Sequence, residues 1–307
     1  MRLYRIKGYR GLQYLPPRMR ILLRQHVPFF RPSELPYAPT APRQRFNYMK
    51  QTSAFHFIPQ FNASRLSFDD VVESVKQHIN SLSENKQKKL KDELENGLAN
   101  LTTKEQLDMY ISSYGEIHRQ KLQIAYDRIP HKVWSEGSIS VVDYGCGQCI
   151  AEMVLSDFLK NHYIDNDKIS DFTVIEPSKA SLTLGLQYLE QFYENSKITA
   201  YNVSAGQLTE DDIRPQSDTV IHLFSNVLDI IEFERHNIAS ILNSDMSHNH
   251  ILVCVSPFYQ ENGRGALMDE FGNMLRSMRC EYKLEKHTDD WENPFSCQVR
   301  IFVSAYY

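Results

Sequence analysis

The sequence predicts an α/β protein built on a doubly wound, mostly parallel sheet of seven strands, with a helical region ahead of it. Three observations carry this. The stretch Val141-Val142-Asp143-Tyr144-Gly145-Cys146-Gly147-Gln148-Cys149 runs an apolar, β-branched segment into two spaced glycines, which is the pattern of a buried parallel strand turning tightly into a helix. Helical spacing then resumes at Ile150, Met153, Val154 and Phe158. Apolar runs of the same kind recur at 172–176, 198–203, 218–225 and 251–255, and two more, 282–286 and 299–306, suit a closing pair of strands.

The elements follow in order. Residues 1–64 read as a basic, Pro-rich, extended arm. The first fifty residues hold eleven Lys or Arg against one acid, Glu34, a formal +10 in a chain whose overall charge is -4. Pro16, Pro17, Pro28, Pro32, Pro36, Pro39 and Pro42 break helical continuity there. Three readings stay open: an RNA-binding arm whose arginines neutralise phosphates, an Arg-rich organelle-targeting segment, or an extension without a role. Low serine content counts against targeting.

A helical cap is expected over 65–136. Ser67 and Asp70 have capping-box spacing, followed by an apolar stripe of Phe68, Val71, Val72 and Val75. Residues 84–95 are charged and read as a solvated face. Thr102 and Glu105 make a second capping-box pattern. Leu107, Tyr110, Ile111, Tyr114, Ile117, Lys121, Leu122, Ala125 and Ile129 then run close to helical spacing until Pro130.

The sheet domain, 137–307, opens on the glycine loop, for which two cofactor types compete. A dinucleotide fold wants a small residue three positions after the second glycine and an acid roughly 20 residues further on. This chain has Ile150 at that position, and its next acid at a strand end, Glu176, comes 29 residues after Gly147. Both departures suit S-adenosylmethionine, which has no pyrophosphate to cradle.

At these residues the chain resembles the class I S-adenosylmethionine-dependent methyltransferases. VVDYGCGQC matches their first motif, with Cys149 in place of the frequent third glycine, and Val174-Ile175-Glu176-Pro177-Ser178 resembles the second. Ile198-Thr199-Ala200-Tyr201-Asn202-Val203-Ser204-Ala205 resembles the third strand and adenine loop, with Ser204 where an Asp is frequent. Asp218-Thr219-Val220-Ile221-His222-Leu223-Phe224-Ser225-Asn226-Val227-Leu228 has the shape of the fourth, ending in a turn into a helix. The resemblance implies S-adenosylmethionine held by Asp143, Tyr144, Gly145, Gly147, Glu176, Pro177, Ser204, Ala205, Phe224 and Asn226, the Glu176 carboxylate accepting from the ribose hydroxyls. It also implies an antiparallel edge formed by the last two strands.

Methyl transfer needs no metal, because the sulfonium already activates the methyl group. A hydroxyl or protonated amine acceptor would also need a general base. His222, Asp229 and His236 are the candidates, against readings of His222 as a core histidine and Asp229 as a helix start. Tyr114 and His118 either touch the ligands or belong to the core. Cys146 and Cys149 have redox or zinc spacing, but Cys254, Cys280 and Cys297 supply no second close pair.

No proline-rich amine-methylation tetrapeptide and no two-cysteine C5 pattern is present. The expected acceptor is RNA, ribosomal RNA included, with a small molecule as rival. A non-catalytic scaffold that keeps the fold is the alternative from another class. Few cysteines and no apolar run of about 20 residues predict a soluble cytoplasmic protein without membrane contact, with organelle targeting as the alternative.

Overall fold

The computed structural model describes residues 45–46, 66–97, 99–230, 233–258, 265–288 and 295–304. The expected arm, 1–64, lies outside them except for Arg45 and Phe46. The helices are α1 (Phe68–Asn80), α2 (Glu84–Glu93), α3 (Lys104–Tyr126), α4 (His131–Ser135), α5 (Ile150–Asn161), α6 (Lys179–Phe192), α7 (Arg235–Ser244) and α8 (Gly265–Met274). The core strands are β1 (Ile139–Tyr144), β2 (Ile169–Ile175), β3 (Lys197–Tyr201), β4 (Thr219–Ser225), β5 (Asn249–Ser256), β6 (Met278–Thr288) and β7 (Phe295–Ser304).

These seven lie in the order β3-β2-β1-β4-β5-β7-β6, and the two-residue strand Arg45–Phe46 pairs with β3 to make eight. β1 to β5 are parallel to one another, and the Arg45–Phe46 strand runs antiparallel to β3. β7 runs antiparallel to β5, and β6 antiparallel to β7. The sheet is therefore mixed, with the antiparallel edge where the last two apolar runs were expected. Strand order reverses between β1 and β4, the place where open α/β sheets leave a crevice beyond their carboxyl ends.

Alternation along each strand sorts side chains to two faces. Val141, Phe172, Leu223 and Val253 join one apolar cluster with α1, α3, α5 and α6. Val142, Val220, Phe224 and Leu252 join the other with α7 and α8. Covering both faces explains why all six residues of β1 are buried and why the central strands read as unbroken apolar runs.

Three expectations shift. The cap of α3 is built by Thr103 and Gln106, one residue on from Thr102 and Glu105: Thr103 Oγ1 accepts the Gln106 N–H at 3.3 Å, and Gln106 Oε1 accepts the Thr103 N–H at 3.2 Å. Both registers satisfy the motif, but in this one Gln106 also donates to Glu93. The helix stops at Tyr126, and Pro130 caps the short α4 instead.

After β4 no helix follows directly. Asn226, at φ +61°, turns the chain away while its N–H donates to the Val255 carbonyl at 2.7 Å, and the Arg235 guanidinium gathers the carbonyls of Leu228 and Ile230. The charged segment behaves as expected, α2 burying only Leu90.

Candidate functional site

The glycine loop is fixed by its own backbone. Gly145 (φ +75°) and Gly147 (φ +53°) occupy left-handed conformations that favour glycine. The N–H groups of Gly145 and Cys146 both donate to the Ile175 carbonyl, at 2.7 and 3.0 Å, so the bend after β1 is pinned to the end of β2. A Cβ on Gly145 would lie 2.7 Å from Val227 Cγ1, whereas one on Gly147 would meet nothing within 4 Å.

Cys149, at φ +58°, ends the loop as the residue before α5. Its side chain is accommodated because α6 carries a glycine opposite: a Cβ on Gly185 would lie 2.7 Å from the Cys149 sulfur. The substitution of Cys149 for a third glycine is thus compensated across the helix–helix contact.

Glu176 stands immediately beyond β2. Its Oε2 accepts the Gly147 N–H at 3.0 Å and its Oε1 accepts the Ser178 N–H at 2.7 Å. Burial raises its pKa, and these two backbone donors oppose the rise. Each carboxylate oxygen retains a second lone pair, so the group can still accept from a ligand.

A cavity of about 490 Å³ opens over the strand tips. Gly145, Gly147, Glu176, Pro177, Ser204, Ala205 and Asn226 line it, seven of the ten expected residues, together with Tyr110 and His118 from α3. A larger groove of about 780 Å³ adjoins it between the start of α3 and α6, but its lining holds neither loop glycine nor Glu176. The expected site residues gather at the smaller space.

Asp143, Tyr144 and Phe224, the other three expected residues, do not line the cavity. They lie within strands, where the pleat sends their side chains into the two sheet faces. Tyr144 stacks on Phe224, centroids 4.7 Å apart, and bonds His222. The Asp143 carboxyl lies fully buried against that of Glu152, and burial raises the pKa of both.

The wall under α3 was not foreseen as a unit. Lys121 is only 1% exposed, and its ammonium donates to Asn226 Oδ1. The Asn226 amide nitrogen donates to His118 Nδ1 at 2.7 Å and to Ser225 Oγ at 3.1 Å, and His118 Nε2 lies 3.4 Å from the Tyr110 hydroxyl. Burial pushes the Lys121 pKa down to about 8, with Asp229 the main opposing charge. Burial and Lys121 hold His118 well below the ordinary imidazole range.

The expected bases lie elsewhere. His222 is fully buried between Tyr144 and His250. Asp229 sits in a turn rather than at a helix start, buried near Lys121 and outside the cavity lining. His236 is exposed on α7. Tyr114 packs edge-on against Tyr110 and does not line the cavity. Cys146 and Cys149 are buried free thiols whose pKa values burial raises, and among the described residues no His, Cys, Asp or Glu cluster could hold a metal. No described helix is long and apolar enough to cross a membrane.

No family model and no curated protein matches the chain. Among solved structures it is similar to S-adenosylmethionine-dependent methyltransferases. One from Leishmania major is 11% identical, with a TM-score of 0.40, covering 69% of this chain and 82% of its own. Magnesium protoporphyrin IX methyltransferase from Synechocystis, with S-adenosylmethionine bound, is 14% identical, with a TM-score of 0.41 and coverages of 78% and 98%. Precorrin-6y C5,15-methyltransferase from Geobacter metallireducens is 12% identical, with a TM-score of 0.37 and coverages of 59% and 87%. Likeness at this level says nothing of substrate.

Proposed function

We propose that the protein binds S-adenosylmethionine in the cavity over β1, β2 and β3 and transfers its methyl group to an acceptor at the β4 side. The observation that carries this is the Gly147–Glu176 contact. A left-handed glycine with open space around it and a carboxylate with free lone pairs share one hydrogen bond at the tips of adjacent strands.

The residues present fit the cofactor. Gly145 and Gly147 let backbone approach the amino-acid end closely, Glu176 accepts from ribose hydroxyls, and Ser204 and Ala205 lie beyond β3 where the adenine would rest. Once bound, S-adenosylmethionine supplies a methyl carbon on a sulfonium that departs as a neutral thioether when an acceptor lone pair takes the methyl. The protein's task is then to orient, which alone can lower the barrier by several kcal/mol.

RNA is the acceptor we favour, because the first fifty residues carry the positive charge that an otherwise acidic chain lacks. Labelled methyl transfer into a cell extract, fractionated into RNA, protein and small molecules, tests the activity and separates it from a scaffold role. Label in the RNA fraction is expected; label in small molecules alone overturns the choice of RNA, and no label in any fraction overturns the enzyme. Deleting residues 1–50 should flatten the salt dependence of RNA binding, and an unchanged salt slope would remove the arm as anchor.

A further inference from the structure

The wall under α3 has a direction. A protonated Lys121 can only donate, so the Asn226 oxygen faces it and the Asn226 nitrogen must face His118 and Ser225. His118 Nδ1 is therefore an acceptor, and its proton sits on Nε2. That proton points to the Tyr110 oxygen, leaving the phenolic hydrogen of Tyr110 for another partner. Burial keeps Tyr110 protonated far above neutral pH. A cavity wall that would be read as a histidine base is thus wired as a donor.

Sheet order divides the cavity that this donor lines into two sides. From β1 the proposed adenosine contacts run outward through β2 (Glu176) and β3 (Ser204, Ala205), whereas Asn226 lies on the opposite side, at the tip of β4. The relay from Lys121 starts at that tip and ends on Tyr110, whose hydroxyl feels both Glu176 and Asp229 and so stands between the two sides.

We propose that Tyr110 anchors the methyl acceptor by donating its hydroxyl hydrogen to an acceptor oxygen, a carbonyl or carboxylate, and that Lys121 is the positioning residue that sets this direction through Asn226 and His118. The assignment rests on the methyl-transfer reading. A nucleobase carbonyl in RNA and the carboxylate of a small molecule share this chemistry, so both fractions are used as probes.

The experiment measures S-adenosylmethionine binding by calorimetry and labelled transfer into the RNA, protein and small-molecule fractions of a cell extract, for full-length wild type, Tyr110→Phe and Lys121→Met. Tyr110→Phe should bind S-adenosylmethionine as wild type does and transfer about tenfold more slowly or worse. Whichever of the RNA and small-molecule fractions takes the label, that result supports the assignment. Wild-type transfer rates in Tyr110→Phe overturn it, as does a loss of cofactor affinity, which would make Tyr110 a cofactor ligand.

Lys121→Met adds a pH readout that a merely structural residue would not move. The ionisable groups facing Lys121 are Asp229 in the turn after β4, Cys297 on β7 and His118 on α3. Wild-type transfer should fall above about pH 8 as Lys121 loses its proton, and Lys121→Met should be slow and flat across that range. A wild-type fall that persists in Lys121→Met overturns the relay. Binding of S-adenosylmethionine without wild-type transfer into the RNA, protein or small-molecule fraction overturns the methyl-transfer reading itself, and the assignment falls with it; label in protein alone overturns the assignment only.

Discussion

Two histidine chains meet β4, one at its middle and one at its tip, and they differ in what lies at the far end. At mid-strand, His250 Nε2 donates to the Asp245 carbonyl at 3.1 Å, His222 Nε2 donates to His250 Nδ1 at 2.9 Å, and the Tyr144 hydroxyl donates to His222 Nδ1 at 3.2 Å. Every polar atom in that line is used, and the line ends inside the core. At the tip, Lys121, Asn226 and His118 form a similar line, but it ends on Tyr110 at a cavity wall. The same chemistry is structural where both ends are closed and available for function where one end is open.

The largest effect that separates the chains is on stability. His222→Leu strands the Tyr144 hydroxyl and His250 Nδ1 without partners in the core and should cost roughly 2–4 kcal/mol, read by urea denaturation, while the folded fraction still binds S-adenosylmethionine normally. Tyr110→Phe, losing one long bond at a cavity wall, should cost under about 1 kcal/mol. Equal losses in the two variants would erase the distinction.

The glycines give the next contrast. Gly145→Ala adds both left-handed strain and a 2.7 Å contact with Val227, together roughly 2–3 kcal/mol. Gly147→Ala meets open space and carries only the strain, roughly 1–2 kcal/mol. A greater loss of stability in Gly147→Ala would contradict the loop geometry.

The smallest effect is on pH dependence. Burial depresses the pKa values of His222 and His250, so at these two sites the folded protein binds fewer protons than the unfolded chain below about pH 6.5. Stability from these neutral histidines is present above that pH and lost as pH falls toward the depressed values. Buried carboxyls such as Asp157, raised to about 6, act in the opposite sense. Comparing wild type with His222→Leu cancels them: the gap between the two should narrow on going from pH 7 to 5, by on the order of 1 kcal/mol. A gap that widens on acidification would mean His222 is charged in the fold.

Much of this was legible in the sequence. The β1 run, the two glycines, the acid closing β2 and the Asn226 turn all lie in short segments whose periodicity and glycine content carry the signal. Asp143, Tyr144 and Phe224 fall outside the cavity lining because a motif match ignores the pleat, which assigns neighbours to opposite faces. The α3 wall was harder, since Lys121 and His118 reach Asn226 across 105 and 108 residues, and no local pattern encodes such a contact. One signal was present: Lys121 occupies an apolar-stripe position on α3, where a lysine must find a buried partner.

The central claim is that the crevice over β1 and β2 binds S-adenosylmethionine through the glycine bend and Glu176. Calorimetric titration of wild type and Glu176→Ala with that ligand tests it most directly. We expect one molecule bound per chain, with affinity reduced about tenfold to hundredfold in Glu176→Ala through loss of charge-assisted hydrogen bonds. No heat of binding to the wild type, or equal affinity in the two proteins, would contradict it.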